Sequence, residues 1–205
     1  ILYSGNGELI LEITPKAGNN DINVIFGSLL TAFNINIHSN TATLKQTPPT
    51  EDLTTGEVRL QWTDTKGSLT SKTFVSRKDK VAMSLITADK GINIPNIKVT
   101  SPSGFSALQM RTKITPNKQG FAIRSTFRKA VCEGSRRYEG LEAVVKVVPD
   151  NGRISVSGNE IKPKKVRQAL MFIAMAPSEQ MEINNTDSLE KAIENVMATG
   201  YAALS

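Results

Sequence analysis

The stretch Thr55–Gly67, TGEVRLQWTDTKG, is the most decisive in the chain. Val58, Leu60 and Trp62 alternate with Glu57, Arg59 and Gln61, the two-residue period of a strand with one packed face and one wet face. The strand runs into Asp64 and then Thr65-Lys66-Gly67, where a short acidic side chain can accept hydrogen bonds from turn amides. Asp64 is therefore expected to be a structural turn anchor, not a catalytic carboxylate.

The same period recurs outward from there. In ELILEI (Glu8–Ile13) charged residues are interleaved with apolar ones, and AFNINIH (Ala32–His38) alternates Phe33, Ile35 and Ile37 with Asn34, Asn36 and His38. INIPNIKVT (Ile92–Thr100), ALQMRTKIT (Ala107–Thr115) and FAIRSTFRKAV (Phe121–Val131) continue the series. AVVKVVPDNGRISVSG (Ala143–Gly158) reads as a hairpin closed across Pro149-Asp150-Asn151-Gly152, whose residues supply the fixed and positive φ values of a tight connection. The tail changes character. Pro163 is placed to open a helix with Val166, Ala169, Leu170 and Ile173 on one face, stopping at Pro177. Asp187 and Glu190 resemble a capping box for a second helix with a stripe of Leu189, Ile193 and Val196. The expected fold is mainly β, an antiparallel sandwich or jelly-roll-like barrel with two C-terminal helices, α+β overall. The expected division is a β-rich basic domain over 1–160 and a helical appendage over 161–205.

The totals bound the function. The chain has 205 residues, enough to bury a core, and 39% hydrophobic with 21% charged residues is a globular composition. The net charge of +6 is unevenly placed: fourteen Lys/Arg face five Asp/Glu between Arg111 and Arg167, and eleven face fourteen elsewhere. Such a basic middle third suits a polyanionic partner. One His and one Cys cannot between them build a conventional zinc site or a serine-hydrolase or cysteine-protease signature. His38 reads as a surface histidine and Cys132 as a small core or edge residue. The glycines of SGNGE (Ser4–Glu8) lack the lysine of a phosphate loop, and Asn184–Thr186 meets the glycosylation consensus but reads better as a helix-capping loop. No catalytic residue, metal or cofactor is expected, and no apolar run approaches the ~20 residues that span a bilayer as a helix. Ile1 is not a natural initiator, which leaves room for a preceding segment.

The candidate binding residues are basic. Arg124 and Arg128 fall on the wet face of one strand, Arg136 and Arg137 adjoin Tyr138 in a loop where the ring could stack on a base, and Lys162, Lys164, Lys165 and Arg167 crowd a predicted helix start against its dipole. Phosphates of single-stranded nucleic acid or an anionic membrane surface would both satisfy them.

The order of FGSLLTAFNINIH (Phe26–His38), GEVRLQWTDTK (Gly56–Lys66), INIPNIKVTS (Ile92–Ser101) and MRTKITPNKQGFAIRSTF (Met110–Phe127) resembles the movement-protein superfamily of plant viruses over about residues 24–132. In that family a strand ends in a near-signature aspartate, here Asp64, commonly followed by a basic residue; Lys66 stands where arginine is frequent, and the tail after Lys162 has no counterpart. The resemblance implies a jelly-roll-like domain that binds single-stranded nucleic acid with little sequence preference at cell-to-cell channels, with Asp64 a structural signature. The alternatives are a self-assembling viral coat or matrix subunit and a non-viral β-sandwich adaptor. A coat or matrix subunit would use Leu189, Ile193 and Val196 for burial between copies of a homo-oligomer, whereas a soluble binder would pack them on itself. Host-cell cytoplasm, cell junctions or the virion are the corresponding locations.

Overall fold

The structure is a computed structural model that describes residues 2–5, 9–16, 19–26, 30–38, 45–76, 78–89, 92–103, 109–133, 135–180 and 185–199. Among these residues the chain forms two antiparallel sheets and a C-terminal helix, α1 (Thr186–Thr199). The seven-stranded sheet holds β1 (Leu2–Gly5), β2 (Leu9–Lys16), β3 (Asn19–Phe26), β4 (Leu30–His38), β10 (Asn96–Thr100), β15 (Glu160–Lys164) and β14 (Arg153–Ser157), in that spatial order. The nine-stranded sheet runs β11 (Met110–Pro116), β12 (Gly120–Glu133), β13 (Arg136–Pro149), β16 (Gln168–Ser178), β9 (Val81–Ala88), β8 (Gly67–Val75), β7 (Glu57–Asp64) and β5 (Lys45–Gln46), with β6 (Thr50–Asp52) also on β7.

The sheets face each other across one apolar core, as the alternation requires. Ile13, Ile22, Phe33, Ile35 and Val99 enter it from the seven-stranded side; Leu60, Trp62, Ile86, Val145, Met171 and Ile173 enter from the other. Trp62 buries its ring completely, and its indole N–H has no hydrogen-bond partner among the described residues. The expected β-sandwich is the observed architecture.

A second apolar layer lies on the outside of the nine-stranded sheet. Phe74, Val81, Met83, Val144, Phe172 and Ala174 face outward there and are covered by Leu189, Ile193 and Val196 of α1. These three helix residues are buried within the chain's own fold, so the stripe assigned to contacts between copies is an internal packing face instead. The helix begins at Thr186, with Asp187 in its first turn, so Asp187 is not the cap. The Leu189 amide donates to the Asn185 carbonyl, which puts the cap position at Asn185.

Two expectations fail for one reason, which is that β16 is sandwiched. Residues 163–177 form no helix: Ala169, Met171 and Ile173 point into the core, while Phe172 and Ala174 point at α1. A strand covered on both faces loses its polar alternation and reads as a continuous apolar run, indistinguishable by period from a short helix. β16 pairs with β13 and β9 in the middle of its sheet, so the chain has no boundary at residue 160 and only α1 remains of the helical appendage. The Pro149–Gly152 turn is real, with Gly152 at φ +76°, but it closes no hairpin. β13 belongs to one sheet and β14 to the other, so the turn is a corner between layers. It is held by the Asp150 amide donating to the Gln168 carbonyl.

Candidate interaction site

Strands β12 and β13 are fourteen residues each and outrun their neighbours. β11 pairs with β12 only as far as Phe127, and β16 pairs with β13 only as far as Gly140. Beyond those points the two strands continue as a two-stranded ribbon. Its register breaks between Thr126 and Val131, where four residues of β12 oppose the single Glu139 of β13. Arg128 and Lys129 sit in this bulge and are exposed, as are Arg136 and Arg137 nearer the tip. Bulges of this kind re-aim side chains away from strict alternation, so Arg128 is not simply the next residue along the face that carries Arg124.

Arg124 has a different task. Its Nε donates to Glu142 Oε1 at 2.8 Å, and a terminal guanidinium nitrogen lies 2.7 Å from the same oxygen. Glu142 is directly opposite in the register, and its side chain is only 3% exposed. Its other oxygen, Oε2, accepts the Asn185 backbone N–H at 2.6 Å. One buried carboxylate thus joins β12, β13 and the start of α1, and Arg124 is spent on neutralising it. The phosphate-binding role expected of Arg124 competes with this pairing.

Tyr138 is 6% exposed and belongs to the core, opposite Val131 in the register. A ring so buried cannot stack on a base, which corrects its assignment. The other cations lie elsewhere. Lys162 and Lys164 are exposed on the outer face of β15, Lys162 with its Nζ 3.4 Å from Glu160, and Lys165 sits at φ +57° in the corner that leads to β16. Arg167 is exposed while its carbonyl accepts the Ala88 amide. Lys162 and Lys164 therefore stand on a strand of the other sheet from the β12–β13 group, Lys165 and Arg167 lie in the connection that follows, and there is no helix start for them to share. Cys132 is exposed, opposite Arg137, so it is an edge residue and not a core one.

Asp64 ends β7 and pairs with Gly67 across Thr65-Lys66, the turn position expected of it. Its side chain, like that of His38, lies outside the described residues, as does most of the capping loop at Asn184. Among the described residues no three of His, Cys, Asp and Glu gather as metal ligands, and no helix is long and apolar enough to cross a membrane. Sequence reasoning missed Glu142, whose only signal was an acid amid the apolar residues of β13; it passed over Asn34 and Asn36 of β4 as mere wet-face residues and took residues 16–21, at the start of β3, for a loop.

Fold and surface together define a single-body antiparallel β-sandwich with a helix packed on one outer face. No family model matches the chain, and no curated protein does. Among solved structures, one described as a putative kojibiose phosphorylase from the human microbiome superposes with a TM-score of 0.57 at 11% identity. The match covers 98% of this chain and 34% of that one, so the chain spans about a third of the length of the protein it resembles. At this identity the likeness is one of fold.

Proposed function

We propose that this chain is a β-sandwich module of a longer carbohydrate-acting protein, serving as a structural and binding partner to a catalytic portion instead of carrying the chemistry itself. Coverage is the supporting observation: nearly the whole chain corresponds to about a third of a protein described as a phosphorylase of kojibiose. A rigid two-sheet body whose larger sheet is buried on both faces in its middle is well suited to such a supporting role. The test is the mass of the native polypeptide and its turnover of kojibiose with inorganic phosphate, with and without residues 1–205. The expected result is a longer polypeptide that is active and that loses activity or solubility on removal of the sandwich. A native polypeptide no longer than this chain, or a longer one inert on kojibiose and related disaccharides, would sink the reading.

The exposed cations Arg128 and Arg137 on the β12–β13 ribbon favour a second reading, in which the surface binds single-stranded nucleic acid in the manner of a movement protein. A coat or matrix role shares the same polyanion-binding step. Titration with labelled single-stranded RNA at several salt concentrations, with anionic liposomes as competitor, tests it. Replacing both arginines by alanine should flatten the slope of log K against log salt by about 1.4, since each single-strand phosphate contact contributes about 0.7. Unchanged affinity in the double variant would remove it.

A further inference from the structure

The outer face of the seven-stranded sheet carries a groove that none of the basic residues lines. Two rows of the register build it. Glu12, Asn23, Asn34 and Thr100 lie side by side across β2, β3, β4 and β10, and Thr14, Asp21, Asn36 and, at the margin, Lys98 lie side by side in the next row. The alternating residues Ile13, Ile22, Ile35 and Val99 are buried in the core, so both rows point outward. Ser103, beyond the end of β10, closes one side, and the enclosed space is about 280 Å³. That volume falls just below the ~300–1,000 Å³ usual for ligand pockets and suits a single small ring.

The side chains are tethered. Asn36 donates to Asp21, Asn23 Nδ2 donates to Glu12 Oε2 at 3.2 Å, and Asn34 Nδ2 donates to the Ser101 carbonyl at 3.3 Å. The last bond draws the segment after β10 back over β4 and sets the position of Ser103. Each asparagine uses one amide hydrogen in its tether, and an amide has a second hydrogen and a carbonyl oxygen to offer. The threonine and serine hydroxyls also both donate and accept.

The chemistry of the lining selects a ligand class by exclusion. Among the described residues that line it none is a cation and Asp21 is the acid; with Glu12 beside Asn23 and Lys98 flanking Asn36, acids outnumber cations around it, so phosphates, sulfates and carboxylates are disfavoured. Its described lining residues include no apolar or aromatic side chain, so a hydrophobic ligand would leave their polar groups unpaired. A ligand that is neutral and presents hydroxyls able to donate and accept in several directions satisfies every group. We propose that this groove is a binding subsite for a neutral sugar residue of a glycan, held by Asn23, Asn34, Asn36 and Asp21. The proposal stands on the groove and not on the enzyme-module reading. With no ring among the described lining residues to stack against, the affinity is set by hydrogen bonds and should be on the order of millimolar.

The experiment is a titration of the chain, labelled with ¹⁵N on asparagine, with kojibiose and with maltose, following the side-chain amide signals. Saturable shifts of Asn23, Asn34 and Asn36 are expected, weakened about tenfold or more by Asn34→Ala, since about two hydrogen bonds are lost. Asn96→Ala, which removes a bond to Glu160 on the same face but outside the groove, should leave the titration unchanged and shows that the fold tolerates loss of a surface amide. The proposal is overturned by the absence of saturable shifts up to about 100 mM sugar, well above a millimolar Kd. Saturable shifts that Asn34→Ala leaves intact overturn it, as does a response to calcium or inorganic phosphate in place of sugar. Kojibiose turnover by a longer native polypeptide would survive any of these failures, so the two readings fall separately.

Discussion

Removal of Arg124 should destabilise the fold more than its position on a surface strand suggests. The Arg124 side chain is 41% exposed, but that of Glu142, which it neutralises, is only 3% exposed. Arg124→Ala would strand Glu142 without its cation while the Asn185 amide still held it inward. Breaking a fully buried pair costs about 3–5 kcal/mol; water reaches this one from the arginine side, which brings the expectation down to about 2–3 kcal/mol. Glu142→Ala removes the acid and leaves Arg124 a cation with access to solvent, so its loss is the hydrogen bonds to a charged group, about 1.5–2 kcal/mol. The double variant should then cost less than the two singles together, with a coupling of about 1–2 kcal/mol. Urea unfolding of the four proteins measures this, with a constant m-value as the condition for comparing midpoints. Exchange of the Asn185 amide should accelerate in Glu142→Ala alone among the singles. Additive effects, or a loss below about 0.5 kcal/mol for Arg124→Ala, typical of an exposed ion pair, would refute the claim that this carboxylate ties the helix to the sheet.

Three glycines should rank by what surrounds them. Gly158 has φ +59° in open space, so Gly158→Ala should cost about 1 kcal/mol; Gly152→Ala adds a Cβ 2.6 Å from the Lys164 and Lys165 carbonyl oxygens at φ +76°, and should cost about 2–4 kcal/mol. Gly120→Ala drives its Cβ into the Val145 carbonyl between β12 and β13 and should be the worst, at about 3 kcal/mol or more, and thermal unfolding that reverses this order would contradict the geometry. Ile193→Ala, at a fully buried site under the sheet, should lose about 2–4 kcal/mol without altering the oligomeric state, as sedimentation would show. The Thr54 and Thr55 amides donate to Asp52 and hold its carboxyl below the ordinary value of about 3.9. The turn they make is therefore fully supported above that value and loses this support as pH falls through the depressed one. A carboxyl titration by NMR with a midpoint at or above the ordinary value would contradict it.

Much of the β architecture could be read from alternation because β4 and β7 are half-buried. Phe33, Ile35 and Ile37 in one, and Val58, Leu60 and Trp62 in the other, are buried, while Asn34, Asn36, Glu57, Arg59 and Gln61 between them are not. The same rule failed at β16, where a helix on one side and a core on the other remove the polar phase that distinguishes strand from helix. The Pro149–Gly152 turn was legible as backbone chemistry, but whether the strands it joins pair with each other is a property of topology that no local residue encodes. The site was legible as composition and not as geometry. Arg124 looked like any surface cation until the register placed Glu142 across from it, and Tyr138 looked available until Val131 placed it against the core. Asn34 and Asn36 of β4 were correctly put on the wet face, whereas the β3 side of the groove was not legible, because residues 16–21 read as a loop; the groove needs four strands side by side, which only the long-range pairing supplies.

The central place of β16 also sets an order of events during synthesis. β9 and β13 are both made before the strand that lies between them, and each presents an open row of backbone donors and acceptors until residues 168–178 leave the ribosome. At about 5–20 residues per second the stretch from Ala88 to Ser178 takes roughly 5–20 seconds to emerge, which is long compared with hairpin formation on the microsecond scale. The early hairpins can form in that interval, but the nine-stranded sheet cannot close. A nascent chain stalled near residue 160 would hold two sticky edges and half of an uncovered apolar layer, which makes it a ready client for chaperones and a seed for aggregation.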